Sequence, residues 1–220
     1  MAAPPPVAAP RVDPVKLPVD LQCGDTYDLE PGAMLEGFAF DGLRLDEFSL
    51  RDAHLELCRL TEVSAPETEL RGASFVEVVI ERLDVPVLRG SRASLRDVRI
   101  EGGRLGSAEL YDSEWRSVHV VGCKLGFVNL RGASLHDVIF TECTIDELDL
   151  GSADARRVTL PGTRIRHLDV THATLADVDL RGCELEELTG AGSLRGAVVD
   201  PDQLALLAPI LASELGIRVE

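Results

Sequence analysis

Residues whose numbers are multiples of five, from Leu35 to Leu185, form 31 consecutive positions, and 28 of them are Leu, Ile, Val, Phe or Trp. The exceptions are Ala65, Gly90 and Ala155. The position two residues earlier, Ala33 through Cys183, is apolar in 27 of 31 cases and fails only at Thr68, Gly103, Ser113 and Thr163. Hydrophobic residues are 45% of the chain, so chance does not produce this register. A period of five suits neither an α-helix nor a simple alternating strand, so each unit must turn a corner after a short extended segment.

The punctuation marks the corners. Pro31, Pro66, Pro86 and Pro161 fall one residue after the large apolar position, and Gly32, Gly42, Gly72, Gly102, Gly122, Gly132, Gly162 and Gly182 fall two after it. These are the central positions of a type II turn, where proline supplies the first φ and glycine tolerates the second. A longer period shows in the smaller inward position. Positions 53, 73, 93, 113, 133, 153 and 173 read Ala, Ala, Ala, Ser, Ala, Ala, Ala, while 58, 78, 98, 118, 138, 158 and 178 read Cys and then Val six times. Four units therefore make one square coil of twenty residues, with like residues stacked in ladders ~4.8 Å apart. Nearly eight coils between Leu35 and Leu185 give a rod of roughly 37 Å. Gly90 at a large position is matched by Leu88 at the small position of the same unit, which keeps the layer volume, and Trp115 beside Ser113 reads as core.

The units RGASF (71–75), RGASL (131–135), THATL (171–175) and ADVDL (176–180) resemble the pentapeptide-repeat family. The expected fold is an all-β solenoid, a right-handed quadrilateral β-helix of about eight coils with a short C-terminal helical cap. The Asp or Asn that usually precedes the family's leucine is often replaced here by Ser, Arg, His or Thr. The expected organisation is a disordered Ala/Pro-rich leader (1–14), an N-terminal cap (15–30), the β-helix (31–200) and a C-terminal helical segment (201–220).

Solenoid ends expose apolar layers and strand edges and need covers. Asp200-Pro201-Asp202-Gln203 reads as an N-cap, a proline at the first helical position and a capping-box glutamine. Leu204, Leu207, Leu211 and Leu215 share one helical face, Gly216 is a stop, and Pro209 should kink or split the segment. That leucine face suits either capping of the chain's own rod or a homodimer. The resemblance supplies the second reading, since relatives with a C-terminal helical segment pair end to end through it.

Thirty-eight acidic against 22 basic residues give a net charge of -16, which opposes direct binding of nucleic acid or an anionic membrane surface. No run of ~20 apolar residues suggests a membrane span and no signal-peptide pattern opens the chain, so the expected location is cytoplasmic. Folded onto the coil, His54, His119, His136, His167 and His172 scatter over sides and corners without partners at triad or metal-ligand spacing. Of the five cysteines, Cys58, Cys123, Cys143 and Cys183 occupy the small inward position, where a thiol acts as a small apolar group. Cys123 and Cys143 are one coil apart, and a reduced ladder is expected. No catalytic residue, cofactor site or metal site is assigned.

Outward charge is one-sided. The fourth side of the square and the corner leading into it collect Asp46, Glu47, Glu67, Glu69, Glu109, Asp146, Glu147, Asp149, Asp169, Glu186 and Glu187, opposed by Arg89 and Arg166. The third side carries Arg44, Arg104, Lys124 and Arg164. A line of carboxylates on a rod resembles the field of the DNA backbone. In repeat type, charge and C-terminal segment the chain is similar to the Qnr and loop-free mycobacterial fluoroquinolone-resistance members. That similarity implies a non-enzymatic DNA mimic that binds a type II topoisomerase, DNA gyrase, and gives quinolone-type protection. The alternative is a structural or protein-interaction scaffold with another partner. The stretch Pro86-Val87-Leu88-Arg89, with Gly106-Ser107 and Gly126-Phe127, leaves the middle of the acidic side nearly neutral.

Overall fold

The computed structural model describes residues 7–46, 48–214 and 216–218. All strand pairs are parallel, and along the rod partner residues differ by twenty: Leu95 lies between Phe75 and Trp115, and Leu125 between Leu105 and Ile145. The chain is a parallel β-solenoid of about 9 turns. The count exceeds the repeat register because each end continues the ladder out of step. β1 (Gln22–Cys23) pairs with Phe38 and Ala39, an offset of 16, and Ala197 and Val198 pair with Val178 and Asp179, an offset of 19.

The inward positions form one continuous core, with the alanine and valine ladders buried throughout except for half-buried Ala173. Two of the three polar exceptions are satisfied locally. Ser113 Oγ donates to the Leu110 carbonyl (2.6 Å) and Thr163 Oγ1 to that of Phe140 (2.9 Å). Trp115 is core, 4% exposed and stacked on Phe140. Its Nε1 and Thr68 Oγ1 are buried without a partner. Around Trp115, where Gly103 and Ala108 thin the layers, lies an apolar cavity of about 70 Å³. The volume match at Gly90 holds: a Cβ there would sit 2.8 Å from Leu110 Cδ2 and 3.3 Å from Leu88 Cδ2. Cys58, Cys123, Cys143 and Cys183 are buried, and all five cysteines are free thiols. Burial pushes Cys183 up to about 12, and Cys143 is raised by its neighbour Cys123 and by burial.

The corners differ from the sequence expectation. Three corners of each coil place their second residue in the left-handed region, as at Gly32 (φ 75), Arg82 (φ 54) and Asp97 (φ 54). The corner between the third and fourth sides does not: Glu67, Val87, Ser107, Phe127, Glu147, His167 and Glu187 all lack a positive φ. A strand such as Asp84–Arg89 or Lys124–Asn129 runs straight through it. No glycine stands at any of these positions, and branched or aromatic residues such as Val87 and Phe127 would be strained in the left-handed region. Proline at the first position is thus compatible with two kinds of corner. The ladder hydrogen bonds, repeated in every coil, hold fifteen non-glycine residues at positive φ elsewhere.

The C-terminal cover is one uninterrupted helix, α1 (Pro201–Glu214). The capping box forms in both directions, with Gln203 N–H to Asp200 Oδ1 at 2.8 Å and Asp200 N–H to Gln203 Oε1 at 3.0 Å. Gln203 Nε2 also donates to the carbonyls of Leu180 (2.6 Å) and Cys183 (2.8 Å), so one side chain starts the helix and ties it to the last coil. Pro209 does not split α1. Both it and Ala205, whose carbonyl loses its helical partner, face solvent, where water replaces the missing N–H. At Gly216 (φ 69) the helix stops, with Ile217 N–H on the Ala212 carbonyl and Gly216 N–H on that of Ser213. No helix among the described residues is long and apolar enough to cross a membrane.

At the other end Leu29 is buried and Gly24 lets the cap close over Phe40: a Cβ on Gly24 would fall among the ring atoms. Val19, Tyr27 and Met34 stay 99%, 88% and 75% exposed. Residues 7–14, assigned by composition to a disordered leader, are extended against the rod, where Ala8 N–H meets Asp177 Oδ1 (3.1 Å) and Arg11 N–H meets Asp137 Oδ1 (2.9 Å). Residues 1–6 lie outside the described residues.

Candidate functional site

The straight corner fuses the third and fourth sides into one eight-stranded sheet, and the acidic residues fall on its outer surface. They divide into two groups by what their carboxylates touch.

The first group points outward from the middle of the fourth side and serves the turn that follows. Glu69 accepts the Arg71 N–H (3.1 Å), Asp149 the Gly151 N–H (2.8 Å) and Asp169 the Thr171 N–H (2.8 Å), and Asn129 does the same for Arg131 (3.1 Å). A short acceptor two residues before an otherwise unpaired turn amide closes the corner. Arg131 then reaches across two coils, with Nε 2.7 Å from Asp149 and Nη2 3.2 Å from Asp169. The guanidinium lies over Gly151, where a Cβ would be 2.5 Å from Arg131 Nη1. Asp149 is only 7% exposed. Burial pushes Asp169 up, but the Thr171 hydroxyl and N–H and the charge of Arg131 bring it below the usual carboxylate range. Arg131 is a third opposing cation that counting along the side misses, because its own position is on the next corner. Glu109 is half-buried and has no ion pair among the described residues.

The second group stands at the straight corner itself. Asp46, Asp146, Glu186 and Glu187 are exposed and carry no ion pair among the described residues, Glu147 is half-buried with His167 Nδ1 at 3.9 Å, and Glu67 pairs with Arg89. Glu47 lies outside the described residues. Between the two acidic ends, Gly106 and Gly126 bring the corner backbone close to the coil before: a Cβ on Gly106 would be 2.5 Å from the Pro86 carbonyl oxygen. The side is therefore acidic at both ends with a bare backbone strip between them.

The basic row of the third side is exposed, and Arg164 pairs with Glu184 at 2.7 Å. The histidines meet neighbours rather than a nucleophile. His119 stands between Arg99 (3.1 Å) and Thr141 (2.9 Å), and burial, then the charge of Arg99, lowers its pKa; His167 meets Thr189 (2.9 Å). Among the described residues no three His, Cys, Asp or Glu side chains form a metal-binding group.

The leucine face of the C-terminal segment is split. Leu207 is 1% exposed against the last coil and Leu211 is partly buried beside it, whereas Leu204 is 53% exposed together with Leu206 at 44%. Leu215 lies outside the described residues. The face turned to the rod is Gln203, Leu207, Ile210 and Leu211, centred one step round the helix from the row of leucines, because Gln203 must reach the coil carbonyls.

The family pattern described as pentapeptide repeats (8 copies) matches residues 121–154. Full-length QnrB1, a plasmid-mediated fluoroquinolone resistance protein, is similar at 14% identity over 89% of this chain and 95% of its own, with a TM-score of 0.42. HetL, a pentapeptide repeat protein involved in heterocyst differentiation regulation from the cyanobacterium Nostoc sp. strain PCC 7120, is similar at 19% identity over 77% of this chain and 90% of its own, with a TM-score of 0.30. No curated protein matches in sequence.

Proposed function

Because this chain belongs to the pentapeptide-repeat family, we propose that it is a non-enzymatic binding protein whose straight acidic corner docks on the basic groove of a DNA-binding protein. DNA gyrase is the partner class that the resemblance of repeat type and charge suggests, with quinolone-type protection as the consequence. The observation that carries this reading is the exposed carboxylates at the two ends of the straight corner, Asp46 at one and Asp146, Glu186 and Glu187 at the other, on an extended sheet surface. A partner with a basic groove would be steered to those ends by complementary charge.

The test is inhibition of gyrase supercoiling by the purified protein and by a variant with Asp46→Asn, Asp146→Asn, Glu186→Gln and Glu187→Gln. These positions leave the turn-closing carboxylates Glu69, Asp149 and Asp169 intact, so the rod keeps its corners. Inhibition by the parent and its loss in the variant supports mimicry. Inhibition by neither removes gyrase as partner, and equal inhibition by both removes this corner as the interface.

The bare strip at Gly106 and Gly126 favours a second reading, a scaffold that receives a partner's backbone or flat surface at mid-rod rather than a phosphate-like line. In that case Ser107→Arg, on the same strip at a position that already carries a side chain, abolishes capture of the partner while the four neutralised carboxylates do not. A homodimer through the exposed Leu204 and Leu206 belongs to either reading. Leu204→Glu with Leu206→Glu should then halve the mass in solution, and an unchanged mass rejects the dimer.

A further inference from the structure

The corner between the first and second sides carries Gly37, Leu57, Glu77, Asp97, Ser117, Asp137, Arg157 and Asp177 in successive coils. Aspartate recurs there at every second coil, at 97, 137 and 177. The N-terminal segment runs back along this column from one end of the rod towards the other. Its anchors are Ala8 N–H on Asp177, Arg11 N–H on Asp137 and Gln22 N–H on the Gly37 carbonyl (2.8 Å), all on the same corner. Val76, which points outward and is not part of the interior cluster, is nonetheless only 7% exposed, and it lies on the course between the second and third anchors. Val7, Pro10, Val12, Val15 and Leu17 of the segment are half-buried, while Arg11, Asp13 and Lys16 are exposed.

The spacing of the anchors has a physical basis. Pro10, Pro14 and Pro18 favour the polyproline II conformation, which repeats every three residues with a rise of about 9.3 Å per turn. Two coils of the rod advance about 9.6 Å. An extended chain of this type thus turns an amide to the rod at every third residue, where the rod offers a carboxylate at every second coil. Residues 8 and 11 meet Asp177 and Asp137 in that register. Carried one step further, the same register sets Pro14 opposite Asp97, and proline has no N–H to give. No side-chain hydrogen bond to Asp97 occurs among the described residues.

We infer that this corner is a docking groove for a proline-rich, extended segment of a partner protein with a free amide at every third position, and that residues 7–18 are its built-in occupant, one hydrogen bond short of a full match. A partner segment with an ordinary residue opposite Asp97 makes the third bond and displaces the chain's own strap. Its second in-step residue is basic, as Arg11 is beside Asp137, a carboxylate already held by Arg157 at 2.6 and 2.7 Å. This inference is independent of the acidic corner, which lies on the opposite edge of the square.

The experiment uses the full chain and a full-chain variant, Ala8→Pro with Arg11→Pro, which removes both donors of the strap and leaves the rod untouched. The probes are two fluorescein-labelled peptides of residues 7–18, one with the native sequence and one with Pro14→Ala, followed by fluorescence anisotropy. The Pro14→Ala peptide should bind the strap-released variant at least ~10-fold more tightly than the parent, and about fivefold more tightly than the native peptide, the worth of one net hydrogen bond. Asp97→Gly, which the φ of 54 at that position accommodates, should erase the difference between the peptides without abolishing binding. Equal affinity for parent and variant, or no binding to the variant at ~1 mM, the range of the weakest specific contacts, overturns the groove. A preference for the Pro14→Ala peptide that survives Asp97→Gly overturns the register.

Discussion

The two ends of the rod solve the same problem with very different means. At the C-terminal end a helix of 14 residues lies over the last coil, Leu207 is buried beneath it, and Gln203 binds two coil carbonyls while closing its own capping box. At the N-terminal end a two-residue strand and Leu29 close the core, and three large apolar side chains stay in solvent. In a solenoid, where each coil touches only its neighbours, stability is set by local interfaces, so unequal covers give unequal ends. Opening should begin at the N-terminal coils and reach the C-terminal ones last, a gradient visible in amide hydrogen exchange.

The comparison breaks most completely at Leu207. Leu207→Ala should cost about 2–4 kcal/mol in denaturant unfolding, as for a fully buried leucine, and should bring exchange near 175–188 to the level of the first coil. An unchanged midpoint would mean that α1 is not the cover. Gln203→Ala removes the capping box and orphans the carbonyls of Leu180 and Cys183, a loss of about 1–3 kcal/mol that Gln203→Glu does not repair, since a carboxylate cannot donate to them.

Acid should reverse the gradient. Hydrogen bonds from Arg157, Arg156 and Arg181 hold Asp137, Asp154 and Asp179 below the usual carboxylate range, and Asp169 is lowered against its own burial by Thr171 and Arg131. A carboxylate depressed in the folded state stabilises it above the unfolded value of 3.8 and loses that contribution as pH falls through the lower folded value. All four lie between residues 137 and 179. Below pH ~3.8 exchange protection there should fall faster than in the first coils, and parallel loss at both ends would contradict this assignment. The smallest effect is expected at Met34, three-quarters exposed at the thin end, where Met34→Lys should shift stability by no more than about 0.5 kcal/mol. A large loss would reveal a contact that buries it.

The interior was legible in the sequence because each inward position faces one geometric demand, volume, and repeats it every twenty residues. Alanine at 73 and 93 or valine at 78 and 98 can only be ladders. The capping box at Asp200 and Gln203 was equally readable, since it is a contact over three residues. Contacts between separate columns were not. Arg131 reaching Asp149 and Asp169, Gln203 Nε2 reaching the coil carbonyls and Arg11 lying on Asp137 depend on side-chain reach across the surface, which no periodicity encodes. Proline-marked corners misled for a related reason: proline fixes only the first φ of a turn, and the second residue decides its hand. The branched and aromatic residues Val87 and Phe127 were the available signal, since the column from Leu57 to Asp177 also lacks glycine and still takes the left-handed turn. For the candidate interface, the sequence places the carboxylates on one side but does not separate their contacts, because an aspartate two residues before a turn amide looks the same in sequence as one without an ion pair.

The register of twenty, kept from Phe75 to Leu185 without a slip, also constrains how such a chain can change in length. One inserted residue would turn every later inward leucine to solvent and bring the residues two and four places after it, many of them charged, into the core, whereas a whole inserted coil would leave each neighbour relation intact. Variation in this rod is therefore quantised in its extent, and any relative longer or shorter through the middle should differ by multiples of one coil.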